Sequence, residues 1–154
     1  MSIATFAAGC FWGVELKFSQ VPGVISTRVG YTGGHIQFPS YEMVCNGDTG
    51  HAESIEINYD PQAIRYLDLL DVFWSIHNPT TLNRQGPDIG TQYRSAIFYH
   101  DEQQHQEALA SRDELQNSGL YNLPITTEIV AATEFYPAEE YHQKYLAKRG
   151  ENHC

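Results

Sequence analysis

Glu53-Ser54-Ile55-Glu56-Ile57-Asn58-Tyr59-Asp60-Pro61 is the stretch on which the fold turns. Ile55, Ile57 and Tyr59 alternate with Ser54, Glu56 and Asn58, the period of a strand with one buried face. Asp60-Pro61 then breaks the period. A capping acid followed by proline in the first turn predicts a helix, which runs to about His77 before Asn78-Pro79 stops it. Its apolar residues, from Ile64 to Ile76, wrap much of the circumference, so the helix is expected to be largely buried.

Working outward, Ile3 to Ala8 reads as a buried strand and a helix is predicted from near Cys10 to about Gln20. Val21-Pro22-Gly23-Val24 is a turn, and Val24 to Tyr31 is a second strand closed by Gly33-Gly34. Residues 35–50 are polar, aromatic and turn-rich without a period, a long loop of the kind that carries function. Residues 80–90 are irregular as well. Tyr93 to Tyr99 is the next strand. Asp101 caps a polar helix to about Asn117, with Gln104 placed as in a capping box, and Ser118-Gly119 ends it. Thr126 to Ala131 is a further strand, Pro137 opens a short helix to about Lys148, and residues 149–154 form a polar tail expected to be mobile. Strand pairs joined by helical crossovers give an α+β class with two layers.

The 154 residues favour one domain, 1–154, and a chain of this size buries about 68–70% of its unfolded surface. The net charge of −10 opposes both a nucleic-acid footprint and binding to anionic membranes. Three cysteines do not make a disulfide scaffold. The N-terminal apolar run is short, no positive residue precedes Lys17, and no stretch approaches transmembrane length. The expected location is cytoplasmic, where a transient, catalytic disulfide is more at home than a structural one.

Cys10, in Ala7-Ala8-Gly9-Cys10-Phe11-Trp12-Gly13, stands where strand meets helix. First-turn N–H groups aimed at a thiol favour thiolate, which makes Cys10 a candidate nucleophile. Glu53 shares a face with Ile55, and desolvation would keep its carboxyl protonated as a general acid; the alternative is a strand-end carboxylate facing solvent or an arginine. Asp88 and Tyr93 flank Gly90, Tyr93 on one face with Ser95 and Ile97, serving either turn and core or a site where the phenol donates to an oxygen gaining charge. Tyr41 stands in the long loop. Phe11 and Trp12 are either core or the walls of a pocket for a small apolar group such as a methyl. Cys45 reads as structural or incidental, and Cys154 as a tail thiol able to reach another sulfur. His51-Ala52-Glu53 has the His-x-Glu spacing of zinc deaminases, but the chain lacks the Cys-x-x-Cys they require, and no metal site is expected. His105 and His142 lie in polar patterns and are expected at the surface.

Four motifs together resemble peptide-methionine (S)-S-oxide reductase, the A type of methionine sulfoxide reductase. They are Gly-Cys-Phe-Trp-Gly over residues 9–13, Tyr41-Glu-Met-Val-Cys-Asn-Gly-Asp-Thr-Gly-His-Ala-Glu53 followed by Tyr59-Asp60-Pro61, Asp88-Ile-Gly-Thr-Gln-Tyr-Arg-Ser95, and Phe135-Tyr-Pro-Ala-Glu-Glu-Tyr-His-Gln-Lys-Tyr145. They occur in order along nearly the whole chain. The expected fold is accordingly an α+β single-domain two-layer sandwich, a mixed β-sheet with helices in a ferredoxin-like plait core, plus long loops and the tail.

The resemblance implies that Cys10 attacks the sulfoxide sulfur and that Glu53 protonates the departing oxygen. Tyr41 and Tyr93 hydrogen-bond that oxygen, Asp88 supports the network, and Phe11 and Trp12 hold the S-methyl group. It also implies a Cys10 sulfenic acid resolved by Cys154, with the disulfide handed to thioredoxin or another dithiol and no bound cofactor. The partners it implies are methionine sulfoxide in peptides and proteins, and thioredoxin. The chain departs from the family pattern in two places: it has no second recycling cysteine, and His153 stands where tyrosine is more usual. A thiol-based redox sensor on the same scaffold and a cysteine hydrolase are the competing readings; the first would react with peroxide and not with sulfoxide, the second would form an acyl-enzyme on Cys10.

Overall fold

A computed structural model describes residues 2–47 and 49–146; Cys154 and the expected tail, residues 149–154, lie outside the described residues. The chain opens with β1 (Ser2–Ala8), α1 (Phe11–Ser19), β2 (Val24–Thr32), α2 (Tyr41–Cys45) and β3 (Ala52–Tyr59). It continues with α3 (Tyr66–Ser75), the short strands β4 (Arg84–Gln85) and β5 (Asp88–Ile89), β6 (Ser95–Tyr99), α4 (Glu102–Asn117), β7 (Glu128–Ala131) and β8 (Tyr136–Pro137).

The main sheet runs β7-β6-β1-β3-β2-β8, antiparallel except for the parallel β6–β7 pair. The run β1-α1-β2-β3-α3-β6, laid out as β6-β1-β3-β2, is the expected ferredoxin-like plait. The crossover through α4 adds β7 at one edge, and the C-terminal segment adds β8 at the other.

Alternation along β1 explains the layering. Ala4, Phe6 and Ala8 point to the helices, while Ala7 joins Ala52, Ala96 and Phe98 on the opposite face. Phe6 is the hub of the helical side, stacked on Phe18, Phe73 and Tyr66 with ring centroids 5.5, 5.0 and 6.0 Å away. Truncating such a residue to alanine costs about 3–5 kcal/mol. At α4, Asp101 accepts the Gln104 N–H at 2.8 Å, as expected of the cap. The Gln104 side chain differs from a standard capping box: it accepts from the His100 N–H and donates to the Ile3 carbonyl, tying α4 to β1.

Several expected boundaries are corrected. The helix placed at Asp60–His77 is α3, Tyr66–Ser75. Asp60 closes a separate turn, accepting the Gln62 N–H on its side chain and the Ala63 and Ile64 N–H groups on its carbonyl. The chain is extended at Arg65, whose N–H is taken by Asp68, so the cap that counts lies four residues downstream of Pro61. The strand placed at Tyr93 starts at Ser95, because Gly90 (φ 145°) launches a 3-10 turn over Thr91–Tyr93; Tyr93 does not share a strand face with Ser95 and Ile97. The strand placed at Thr126 starts at Glu128.

Pro137 does not open a helix. It sits on the edge strand β8, where a residue without N–H is tolerated, opposite Gly30. A Cβ on Gly30 would lie on the Tyr136 carbonyl, so this close approach requires glycine. A 3-10 turn, Glu140–His142, follows. The two loops read as irregular contain α2, capped by Ser40 through the Met43 N–H, and the β4–β5 hairpin.

Candidate active site

Gly9 makes the turn that delivers Cys10. Its φ of +97° is one that residues with a Cβ rarely adopt, and a Cβ there would also strike the Gln85 side chain of β4. Cys10 then takes the N-cap position of α1 and Phe11 the first helical position. Of the first-turn N–H groups expected to serve the thiol, one has another partner. The Phe11 N–H is given to Oε1 of Glu53, 3.3 Å away across 42 residues.

Glu53 reaches that point as its alternation predicts. It stands near the start of β3 on the face shared with Ile55, Ile57 and Tyr59, and is 2% exposed. The strand-end carboxylate facing solvent is thereby ruled out.

Two phenols converge on the same carboxyl. Tyr41 comes from the first position of α2 and Tyr93 from the 3-10 turn. The Tyr41 hydroxyl pairs with the Cys45 thiol. Burial first, then that hydrogen bond and the proximity of Glu53, hold the Tyr41 proton well above the usual phenol range. Burial, then Glu53, Cys45, Asp88 and Cys10, do the same for Tyr93. Both hydroxyls therefore stay protonated and able to donate at any physiological pH. Asp88 is carried in by the β4–β5 hairpin, whose Gln85 side chain lies over Gly9.

Cys45 is closer to this chemistry than its sequence context indicates. It is exposed on α2, and burial pushes its thiol up, with Glu53 and Glu139 adding and the Tyr41 hydroxyl opposing.

Phe11 and Trp12 pack beside the site with residues the sequence reading did not single out. Phe11 is 1% exposed and packs against Val29, Tyr31, Val44 and Ala138, with Trp12 and Tyr41 at the margin. Glu139 bridges two of the site's tyrosines: Oε1 accepts from the Tyr31 hydroxyl and Oε2 from the Tyr41 N–H, both at 3.0 Å. Burial pushes the Glu139 carboxyl up, but the Tyr41 N–H and the Tyr31 hydroxyl prevail and hold it below the usual range.

His142, expected at the surface, is fully buried, accepts the Trp12 indole N–H at 2.9 Å and lies 4.4 Å from the Tyr41 ring. Only the fourth motif, residues 135–145, could have flagged Glu139 and His142; their roles rest on contacts across 98 to 130 residues.

His51 offers nothing to a metal. Its Nδ1 accepts the Gly34 N–H and its Nε2 pairs with the Ile36 carbonyl, so the ring has no spare nitrogen. Among the described residues there is no cluster of three or more His, Cys, Asp or Glu placed to hold a metal ion, and no helix long and apolar enough to cross a membrane.

Comparison with known proteins gives the arrangement a context. A family model described as peptide methionine sulfoxide reductase matches residues 2–154. A peptide methionine sulfoxide reductase of Methanosarcina acetivorans is 60% identical over 147 residues, covering 96% of this chain and 78% of the relative. The crystal structure of Mxr1 from Saccharomyces cerevisiae in reduced form superposes with a TM-score of 0.92 at 38% identity, over 99% of this chain and 88% of that one. Mxr1 in complex with Trx2 matches with a TM-score of 0.66 at 26% identity, over 94% and 84% of the two chains.

Proposed function

The chain belongs to the peptide methionine sulfoxide reductase family, and on that premise we propose that it reduces the S-epimer of methionine sulfoxide, free or in proteins, with Cys10 as the attacking thiolate. The observation that carries this reading is the Phe11 N–H to Glu53 hydrogen bond, which puts a buried carboxyl group one residue from the cysteine. A nucleophile and an acid are then available to the two ends of one S=O bond.

The reaction runs in two stages. The Cys10 sulfur donates its electron pair to the sulfoxide sulfur while Glu53 gives a proton to the oxygen. Tyr41 and Tyr93 donate hydrogen bonds to that oxygen as charge builds on it. Asp88 supports this network, and Phe11 and Trp12 hold the S-methyl group. The protonated oxygen leaves the substrate sulfur and ends as hydroxyl on the Cys10 sulfur while the transient bond between the two sulfurs breaks; methionine departs, reduced by two electrons, and Cys10 is left oxidised by two, as sulfenic acid.

The Cys154 thiol then condenses with the sulfenic acid, releasing water and forming the Cys10–Cys154 disulfide. Cys154 stands eight positions beyond Leu146, and eight steps of fully extended chain reach at most roughly 26–29 Å. Leu146 is buried, and its neighbour Tyr145 stacks on Trp12 at 4.0 Å, so the reach begins beside the site. Thioredoxin, or another dithiol, reduces the disulfide; the thioredoxin complex formed by the related Mxr1 supports that step. The chain acts as one domain, 1–154, in protein repair after oxidative damage. Three cysteines and a labile disulfide suit the cytoplasm.

The test is a sulfur count. Mixed with the S-epimer and no reductant, the protein should form one methionine and lose two thiols, with Cys10 and Cys154 joined in the peptide map. Cys154→Ser should form the same methionine and stop at sulfenic acid. Full activity in Cys10→Ser, or a Cys10–Cys45 bridge in the wild type, would overturn the assignment of these thiols.

A further inference from the structure

Three buried histidines of this chain are held differently. His51 engages both ring nitrogens, with the Gly34 N–H and the Ile36 carbonyl. His77 does the same with the Phe73 carbonyl and the Ser95 hydroxyl. His142 engages one: Nδ1 accepts the Trp12 indole N–H, which places the ring proton on Nε2, and Nε2 is buried with no hydrogen-bond partner among the described residues. An unpaired buried donor is a cost to the fold, and a histidine that served packing alone would not need to bear it.

The surroundings show what that cost sustains. The His142 ring is fixed between Tyr41 at 4.4 Å and Tyr141 at 4.1 Å, with Phe11 at 5.3 Å. Trp12 is only partly buried, so core packing does not decide its rotamer. Its N–H edge is taken by His142 and its face by Tyr145, stacked at 4.0 Å and 16°. Both restraints come from the C-terminal segment, more than 125 residues away in sequence. That segment is itself fastened: the Gln143 side-chain amide pairs with both the N–H and the carbonyl of Val29, as a neighbouring strand would, and the buried Glu15 carboxyl accepts the Lys144 N–H and the Thr27 hydroxyl.

We propose that His142 is a positioning residue for substrate binding: by accepting the Trp12 indole N–H it fixes the indole plane that forms one wall of the S-methyl pocket. This rests on the reading of Phe11 and Trp12 as the walls that hold the methyl group. In this role His142 acts on how the substrate is held and not on the oxygen-transfer step.

The experiment uses the full chain in a Trp74→Phe background, which leaves Trp12 as the only indole, with the S-epimer of N-acetylmethionine sulfoxide as the probe in single turnover. His142→Phe keeps a ring and removes the acceptor. It should raise the half-saturating substrate concentration about tenfold, the scale on which one apolar pocket contact discriminates, and leave the saturated rate within about threefold. The Trp12 emission maximum should shift as the indole loses its partner. His142→Asn, whose Oδ1 can stand where Nδ1 stood, should restore both readings to near the parent values. If His142→Phe does not fold, His142→Gln, which carries its acceptor farther out, should show the same increase and the same emission shift. A folded acceptor-less variant with the parent half-saturation overturns the proposal, as does a loss confined to the saturated rate. Trp12→Phe isolates the premise: no change there removes the methyl-wall reading itself, whereas an increase there with none in His142→Phe removes only the role of His142.

Discussion

The N–H of Phe11, first residue of the first helix, donates to Oε1 of Glu53 at the start of the third strand. One backbone hydrogen bond thus sets the position of a buried carboxyl relative to the adjacent cysteine. The helix start that a sequence reader assigns to the thiol is committed at its first N–H to the acid.

Glu53→Gln tests the acid against the anchor. The amide oxygen still accepts the Phe11 N–H, so the melting temperature should hardly move. The amide has no proton to give the leaving oxygen, and the single-turnover rate of methionine formation should fall about 10²–10⁴-fold at neutral pH. A rate within a few fold of wild type would remove Glu53 from the chemistry.

Tyr41→Phe and Tyr93→Phe each delete one donor. Each should slow the oxygen-transfer step on the order of 10²-fold with the fold retained, and the double variant should lose more than either. Because burial and the neighbouring acids hold both phenols above the usual range, the rate should show no alkaline fall from their titration up to about pH 10, the unperturbed phenol value. Ultraviolet titration of wild type against each variant locates the two phenols directly.

Gly9→Ala tests the turn that presents the cysteine. The alanine would occupy a φ near +97° with its Cβ against Gln85. The expected loss is about 1–3 kcal/mol in urea unfolding, together with slower alkylation of Cys10, since the hairpin and the nucleophile turn are displaced together. Gly119→Ala, at a positive φ but in open space, should show the stability loss without the change at Cys10.

His77 predicts acid sensitivity. Burial lowers its pKa to about 4, although the hydrogen bond to the Phe73 carbonyl acts the other way. The unfolded chain, with an ordinary histidine near 6.5, binds the proton first as pH falls. The stability is therefore complete above about pH 6.5 and lost as pH drops towards 4. At ~1.4 kcal/mol per unit the loss is on the order of 3 kcal/mol. Urea midpoints between pH 7.5 and 4 should show it, and His77→Gln should flatten that part of the profile.

Local signals carried much of the fold. Alternation placed the third strand and aimed Glu53 inward, and Asp101 marked the start of the fourth helix to the residue. Where two local signals competed, the sequence misled: Asp60-Pro61 has the chemistry of a helix start, but Asp60 closes a turn and the Arg65–Asp68 pairing begins the helix. The hairpin at residues 84–89 and the turn at Tyr93 went unseen because two-residue strands carry no period.

The candidate nucleophile, its acid, the two phenols and the apolar pair could be nominated from residue type and motif, because such chemistry needs particular side chains. What the tertiary structure alone decided is who holds them in place: Glu53 taking the Phe11 N–H, Glu139 joining Tyr31 to Tyr41, and His142 buried against Trp12. A hydrophobic period reports which face of an element is buried. It says nothing about the partner met there, and these partners lie 42 to 130 residues away along the chain.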